Sequence, residues 1–64
     1  MENKIAEKRK ACHLTQSQVA KAVNIGERLY QSYEYGKVIP SVLVAIQIAK
    51  VLKTTVEELF PIEG

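Results

Sequence analysis

Apolar residues recur along this 64-residue chain at intervals of three and four, and no stretch of strand length alternates with a period of two. The pattern predicts five short helices. Glu2 to Cys12 is rich in strong helix formers, with Ile5, Arg9 and Cys12 on one face and lysines at 4, 8 and 10 around it. His13 and Leu14 break that run. Thr15 followed three residues later by Gln18 has the form of a capping box, which predicts a second helix over about Gln16 to Val23 with Val19, Ala20 and Val23 inward. Asn24 tolerates a left-handed backbone, so Val23 to Gly26 reads as a tight turn with Ile25 plugging the core.

Gly26 then serves as the N-cap of a third helix over about Glu27 to Tyr35, given apolar bulk by Leu29, Tyr30 and Tyr33 and stopped at Gly36. Pro40-Ser41 opens the fourth and most apolar helix, whose stripe is Val44, Ile48, Val51 and Leu52. Thr55-Val56-Glu57-Glu58 repeats the capping-box pattern with acids in the first turn, and Leu59, Phe60 and Pro61 close a fifth helix of one or two turns. The expected fold class is all-α, with residues 1–64 forming one domain that has no internal repeat.

Composition narrows the picture. Hydrophobic residues at 47% and charged residues at 25% are those of an ordinary globular chain, and two prolines and three glycines argue against disorder. A chain of this size buries only about 60% of its unfolded surface, which leaves no room for an enzyme cleft. Cys12 is the lone cysteine and cannot staple the chain internally. The N-terminal MENKIAEKRK lacks the apolar region of a signal peptide, and the longest apolar stretch, Val42 to Ile46, is far short of the roughly 18 residues that suggest a membrane span. The expected compartment is the cytoplasm. Residues 1–40 carry seven Lys/Arg against four Glu, a balance of +3, while residues 41–64 carry two against three, a balance of −1. A weakly basic N-terminal part suits a polyanionic partner, although surface lysines alone commonly serve solubility.

Two short helices joined by a three-residue turn form a helix-turn-helix, which presents its second helix as a ridge for the major groove of DNA. The stretch from Gln16 to Tyr35 has this form. Ala20 is small where the helices approach, Asn24 is turn-competent, and Val19, Val23, Ile25, Tyr30 and Tyr33 stand where inward bulk is needed. On the third helix, residues 27, 28 and 31 share one polar side. Arg28 matches guanine O6/N7 bidentately and Gln31 matches adenine N6/N7, and either is also able to reach a phosphate. Cys12-His13 has no further Cys or His with which to hold zinc, so both read as structural. The single histidine has no sequence-evident nucleophile or acid-base partner and there is no glycine-rich phosphate loop, so neither an enzymatic activity nor a cofactor is expected.

Leu14-Thr15-Gln16, Val19-Ala20, the run Tyr33-Glu34-Tyr35-Gly36-Lys37, Pro40-Ser41, Ile48-Ala49-Lys50-Val51-Leu52 and Val56-Glu57-Glu58-Leu59-Phe60 follow one another at a familiar spacing. No one piece is distinctive, but the ordered set covers nearly the whole chain. It resembles the phage Cro and repressor-like helix-turn-helix family, also called the xenobiotic-response-element family. The resemblance implies a lambda-repressor-like DNA-binding domain acting as a transcriptional regulator. It further implies that Glu27, Arg28, Gln31 and Ser32 read bases, and that Gln16, Gly26, Tyr35 and Lys37 meet the DNA backbone. Gln16 combines a polar side chain with a helix end whose N–H groups suit an anion, its plainer role being that of a solvated first-turn residue. Lys37 likewise has a plainer role as a solvated loop lysine. Arg9 and Glu34 correspond to an internal ion pair that orients the third helix.

The chain departs from the family pattern in three places. Glu27 puts an acid near phosphates, which repel it unless it accepts from cytosine N4 or pairs with Arg28. Gly26 lacks a hydroxyl common at that position, and Val38-Ile39 is apolar where a polar residue is usual, which points to burial or to another contact surface. One recognition helix covers few base pairs, so a homodimer on paired half-sites about 34 Å apart is expected. Its interface is expected among Val42, Ile46, Leu59, Phe60 and Ile62, residues that otherwise only complete the core. The expected function is a repressor binding double-stranded DNA. The alternative is an antitoxin or other module that binds a protein partner.

Overall fold

The computed structural model describes residues 2–61. They form five α-helices, α1 (Ile5–Ala11), α2 (Gln16–Ala22), α3 (Glu27–Glu34), α4 (Val42–Val51) and α5 (Val56–Leu59), with no strand among them. All five expected helices are present, and the differences lie at their ends. The first helix begins at Ile5 rather than Glu2 because Asn3 turns back on the backbone. Its Oδ1 accepts from the Ile5 N–H at 3.0 Å, and its Nδ2 donates to the Tyr33 carbonyl at 2.8 Å. Such a side-chain bond competes with helical geometry and fixes the chain entry instead. Val23 and Tyr35, expected as last helical residues, are the C-caps of α2 and α3.

Four helices stop in one way. After α1, α2, α3 and α4 the chain passes through a left-handed residue, respectively His13 (φ 59°), Asn24 (φ 59°), Gly36 (φ 75°) and Lys53 (φ 57°). Each time, that residue's N–H and the next one bond back into the last turn, as in Asn24 N to Lys21 O at 3.1 Å and Ile25 N to Ala20 O at 3.0 Å. Leu14 and Ile25, which follow the left-handed residues of α1 and α2, pack against the core. At the N-termini, Thr15 and Gln18 form the reciprocal capping box of α2, and Ser41 accepts from Val44 N to start α4. Thr55 accepts from Glu58 N at α5, but the Glu58 carboxylate turns away to Thr54 (3.2 Å) and to Lys8 on α1 (3.4 Å).

The core gathers Ile5, Val19, Ala20, Val23, Tyr30, Tyr33, Ile48, Ala49, Leu52 and Leu59. In the stripe of α4, Ile48 and Leu52 are buried while Val44 and Val51 are half-buried beside Ala45 and Ala49, which turn fully inward. Leu29 stands on the exposed side of α3 instead of in the core. Leu59 corrects the expectation for the dimer surface: it is fully buried, and its carbonyl accepts from Lys4 N at 2.8 Å, so it closes the core onto the chain entry. Phe60 is half-buried and packed against the same core, and Ile62 lies outside the described residues. Cys12 is half-buried, with its thiol donating to the Leu52 carbonyl at 3.3 Å, a packing role. No helix among the described residues is long and apolar enough to cross a membrane, and no group of three or more His, Cys, Asp or Glu is placed to hold a metal.

Candidate nucleic-acid interface

The α2-turn-α3 unit is fixed from its inner side. Tyr30 and Tyr33 are buried, one turn apart on α3, and Val19 and Ala20 meet them from α2. Since two tyrosines in the core dictate the roll of an eight-residue helix, positions 27, 28 and 29 are carried outward. Glu27, Arg28 and the preceding Gly26 are all exposed. Gly26 caps α3 with φ −67° and ψ 145°, a conformation open to any L-residue, and a Cβ there would meet nothing within 4 Å.

Behind this face lies an ion pair. Arg9 Nε donates to Glu34 Oε2 at 2.7 Å, Nη2 donates to Oε1 at 3.4 Å, and Nη1 donates to the Leu14 carbonyl at 2.9 Å. The two side chains are 13% and 3% exposed, so the pair ties α1 to the end of α3 largely out of water. Burial by itself would raise the Glu34 pKa, but the hydrogen bonds from Arg9, with those of its other neighbours, hold it below its ordinary 4.5. The same bond to Glu34 raises Arg9, so both partners stay charged. The Tyr30 hydroxyl is buried near this pair without completing a hydrogen bond of good geometry, and burial followed by the neighbouring carboxylate pushes its pKa well above the phenol range.

From Glu34 a chain of polar contacts runs outward. Gln16 Nε2 donates to Glu34 Oε1 at 3.0 Å, and Gln16 Oε1 accepts from Gln31 Nε2 at 3.1 Å. Gln31 Nε2 also donates to Glu27 Oε2 in a longer bond of 3.4 Å. The structure therefore brings five of the singled-out residues, Arg9, Glu34, Gln16, Gln31 and Glu27, into one continuous network. Ser32 is half-buried and donates back to the Arg28 carbonyl at 3.2 Å. Glu27 and Arg28 form no ion pair, because the two ion pairs among the described residues are Lys8–Glu58 and Arg9–Glu34. Lys37 and Tyr35 lie exposed beyond α3, where the Lys37 N–H closes the helix end on Ser32 O at 3.0 Å. Sequence reasoning placed Gln16 and Gln31 separately and missed their bond. It overlooked Asn3 as well, whose N-cap chemistry just ahead of a helix was the available signal.

A second exposed face is apolar. Val42 and Leu43 are 73% and 74% exposed, and Ile39 and Ile46 are exposed with them. Ile39, Pro40, Val42, Ala45, Val56 and Phe60 line an open groove of about 540 Å³. Val38 and Ile39, apolar where a polar residue is usual, are both exposed rather than buried, which leaves the second of the two expectations for them, another contact surface. Leu43 was not singled out from the pattern, although a predominantly apolar helix in so small a chain is the signal for such a face.

A polar recognition ridge set on a buried ion pair, behind a tight turn from a capped helix, defines a helix-turn-helix regulator. The family model described as helix-turn-helix matches residues 5–59, and the chain belongs to this family of DNA-binding transcription regulators of the Cro and repressor type. In fold it is similar to the structure titled "Crystal structure of transcriptional regulator from Listeria innocua", with a TM-score of 0.75 at 20% identity. That likeness covers 100% of this chain and 64% of the Listeria protein, so the chain spans somewhat under two thirds of that protein's length. No curated protein matches the sequence significantly.

Proposed function

We propose that the chain is a repressor that acts in the cytoplasm, binding an inverted-repeat operator as a homodimer with α3 in the major groove and performing no catalysis. The observation that carries this reading is the roll of α3: Tyr30 and Tyr33 are locked inward, and Glu27 and Arg28 stand exposed at the front of the helix. Arg28 supplies the fork for guanine, and Lys37, Gln16, Tyr35 and the Gly26 backbone face phosphates. The described residues measure 33 × 21 × 19 Å and hold one such helix. Two half-sites about 34 Å apart therefore need two copies. The apolar face around Val42 and Ile46, in the C-terminal part of the chain that lacks net positive charge, supplies the surface through which they meet.

The test is direct. A duplex selected from a random pool is expected to bind with a strong salt dependence, to silence a reporter when placed over its promoter, and to lose about tenfold in affinity on Arg28→Ala. Equal binding to selected and random DNA overturns the reading. One observation favours a second function, since a 540 Å³ apolar groove fits a different protein as well as a second copy. Recovery of the chain in a stoichiometric complex with another small protein, in place of the homodimer, supports an antitoxin or similar module.

A further inference from the structure

Glu27 and Gln31 acquire definite and different roles once their hydrogen bonds are counted. A glutamine that reads adenine must offer one amide hydrogen to N7 while its oxygen accepts from N6. Gln31 has two amide hydrogens. One goes to Gln16 Oε1 at 3.1 Å and the other to Glu27 Oε2 at 3.4 Å, which leaves only its oxygen unengaged. Gln31 is also half-buried, whereas Glu27 is exposed. Its amide is thus spent on holding two neighbours in place.

Glu27 is the neighbour that gains a function. An acid at the front of a recognition helix is tolerated near phosphates if it pairs with a cation or accepts from a base. The first option is not taken, because Glu27 and Arg28 form no ion pair. Gln31 engages Oε2 and so steers the carboxylate, while Oε1 stays available as an acceptor. The base edge that presents a donor without a competing acceptor in the major groove is cytosine N4. Arg28, adjacent in the chain and unpaired, offers the complementary donor fork for guanine O6/N7.

We propose that Glu27 is a specificity-determining residue that accepts a hydrogen bond from the N4 amino group of a cytosine in each half-site, next to the guanine read by Arg28, with Gln31 as its positioning residue. The assignment rests on the DNA-binding reading above and names the base that the site takes. Gln16 is held by the same Gln31 amide and by Glu34, so the network that aims the reader also fixes a backbone contact to the frame set by Arg9.

The experiment is selection of duplexes from a random pool by the 64-residue chain, by Glu27→Gln and by Gln31→Leu, each first shown to keep the wild-type helical signal and melting temperature. The wild type is expected to enrich a cytosine at one half-site position, and replacing that C·G pair with T·A is expected to lower affinity about tenfold. Glu27→Gln changes the preference at that position alone from cytosine to adenine. Gln31→Leu keeps the motif but reduces selectivity for cytosine to roughly threefold. An unchanged motif with Glu27→Gln overturns the assignment while leaving DNA recognition intact, and loss of an adenine preference on Gln31→Leu overturns it by making Gln31 the reader. Enrichment of no motif by the wild type removes the DNA-binding reading and this assignment together.

Discussion

On the α2–α3 side the side chains of Glu27, Gln31 and Gln16 are chained inward to a buried ion pair, whereas on the α4–α5 side exposed Val42, Leu43 and Ile46 form an aliphatic face beside an open groove. Each arrangement suits a different partner. A base edge demands donors and acceptors in fixed positions, so its readers must be braced by bonds that reach a rigid frame. A second protein surface demands area and shape, which exposed Val42, Leu43 and Ile46 provide without bracing. The two faces therefore differ in where their energy lies: the first loses most when an interior residue is changed, the second when an exposed one is.

The largest expected effect tests the first half of that contrast. Glu34→Ala leaves the Arg9 guanidinium largely buried without its partner and removes the acceptor of Gln16, at a cost of about 3 kcal/mol. In a domain of this size that lowers the melting temperature by roughly 12 °C or more. The dependence on acidity follows from the lowered pKa of Glu34. Because the folded value lies below the unfolded one, the stabilisation is complete above about pH 4.5 and is lost as pH falls through the folded value. A comparison with Glu34→Gln by thermal unfolding is thus expected to show a constant gap at neutral pH that closes in acid. A gap under about 1 kcal/mol at pH 7 means that the polar face is not anchored from within.

How far these faces could be read from the sequence depended on whether local chemistry or packing decided the outcome. Thr15, Ser41 and Thr55 cap helices through their own side chains, and Asn24 and Gly36 stop them through their own backbone freedom, so the order of elements was legible. His13 and Lys53 adopt the same left-handed stop, which was not read from the sequence: histidine favours that conformation less distinctively than asparagine or glycine, and lysine does not favour it. Tyr30 and Tyr33 set the roll of α3 by bulk, which made the reading side visible as a polar stripe. The bond between Gln16 and Gln31 was not visible, since it joins two helices and both residues are equally at home in solvent. Leu59 was misplaced for a related reason: in so short a chain, an apolar terminal helix has the same pattern whether it closes the core or covers a partner.

The second half of the contrast is tested on exposed residues. Val42→Lys with Ile46→Glu changes two side chains of the apolar face and spares the core, so the folded monomer is expected to keep its stability within about 1 kcal/mol. Self-association, followed by sedimentation equilibrium, is expected to weaken tenfold or more, and binding to a two-half-site duplex to fall while binding to one half-site holds. If association is unaltered, the copies meet elsewhere, and the apolar face is left for a different protein.

The smallest expected effect separates what the two halves share from what distinguishes them. Their side chains differ in kind, but both halves stop their helices with the same backbone device, glycine being used once in four places. Lys53 ends α4 at φ 57°, where a Cβ costs about 1 kcal/mol. Glycine removes that strain but adds freedom to the unfolded chain, which offsets about half of the gain. Lys53→Gly is therefore expected to stabilise the domain by about 0.5 kcal/mol, seen as a rise of roughly 2–4 °C in melting temperature. Lys53 is exposed, and its side chain belongs to neither the polar network nor the apolar groove. Operator affinity and self-association should both stay unchanged. A change in either one, with the melting temperature rising as expected, makes the end of α4 part of a working face and narrows the contrast between the two.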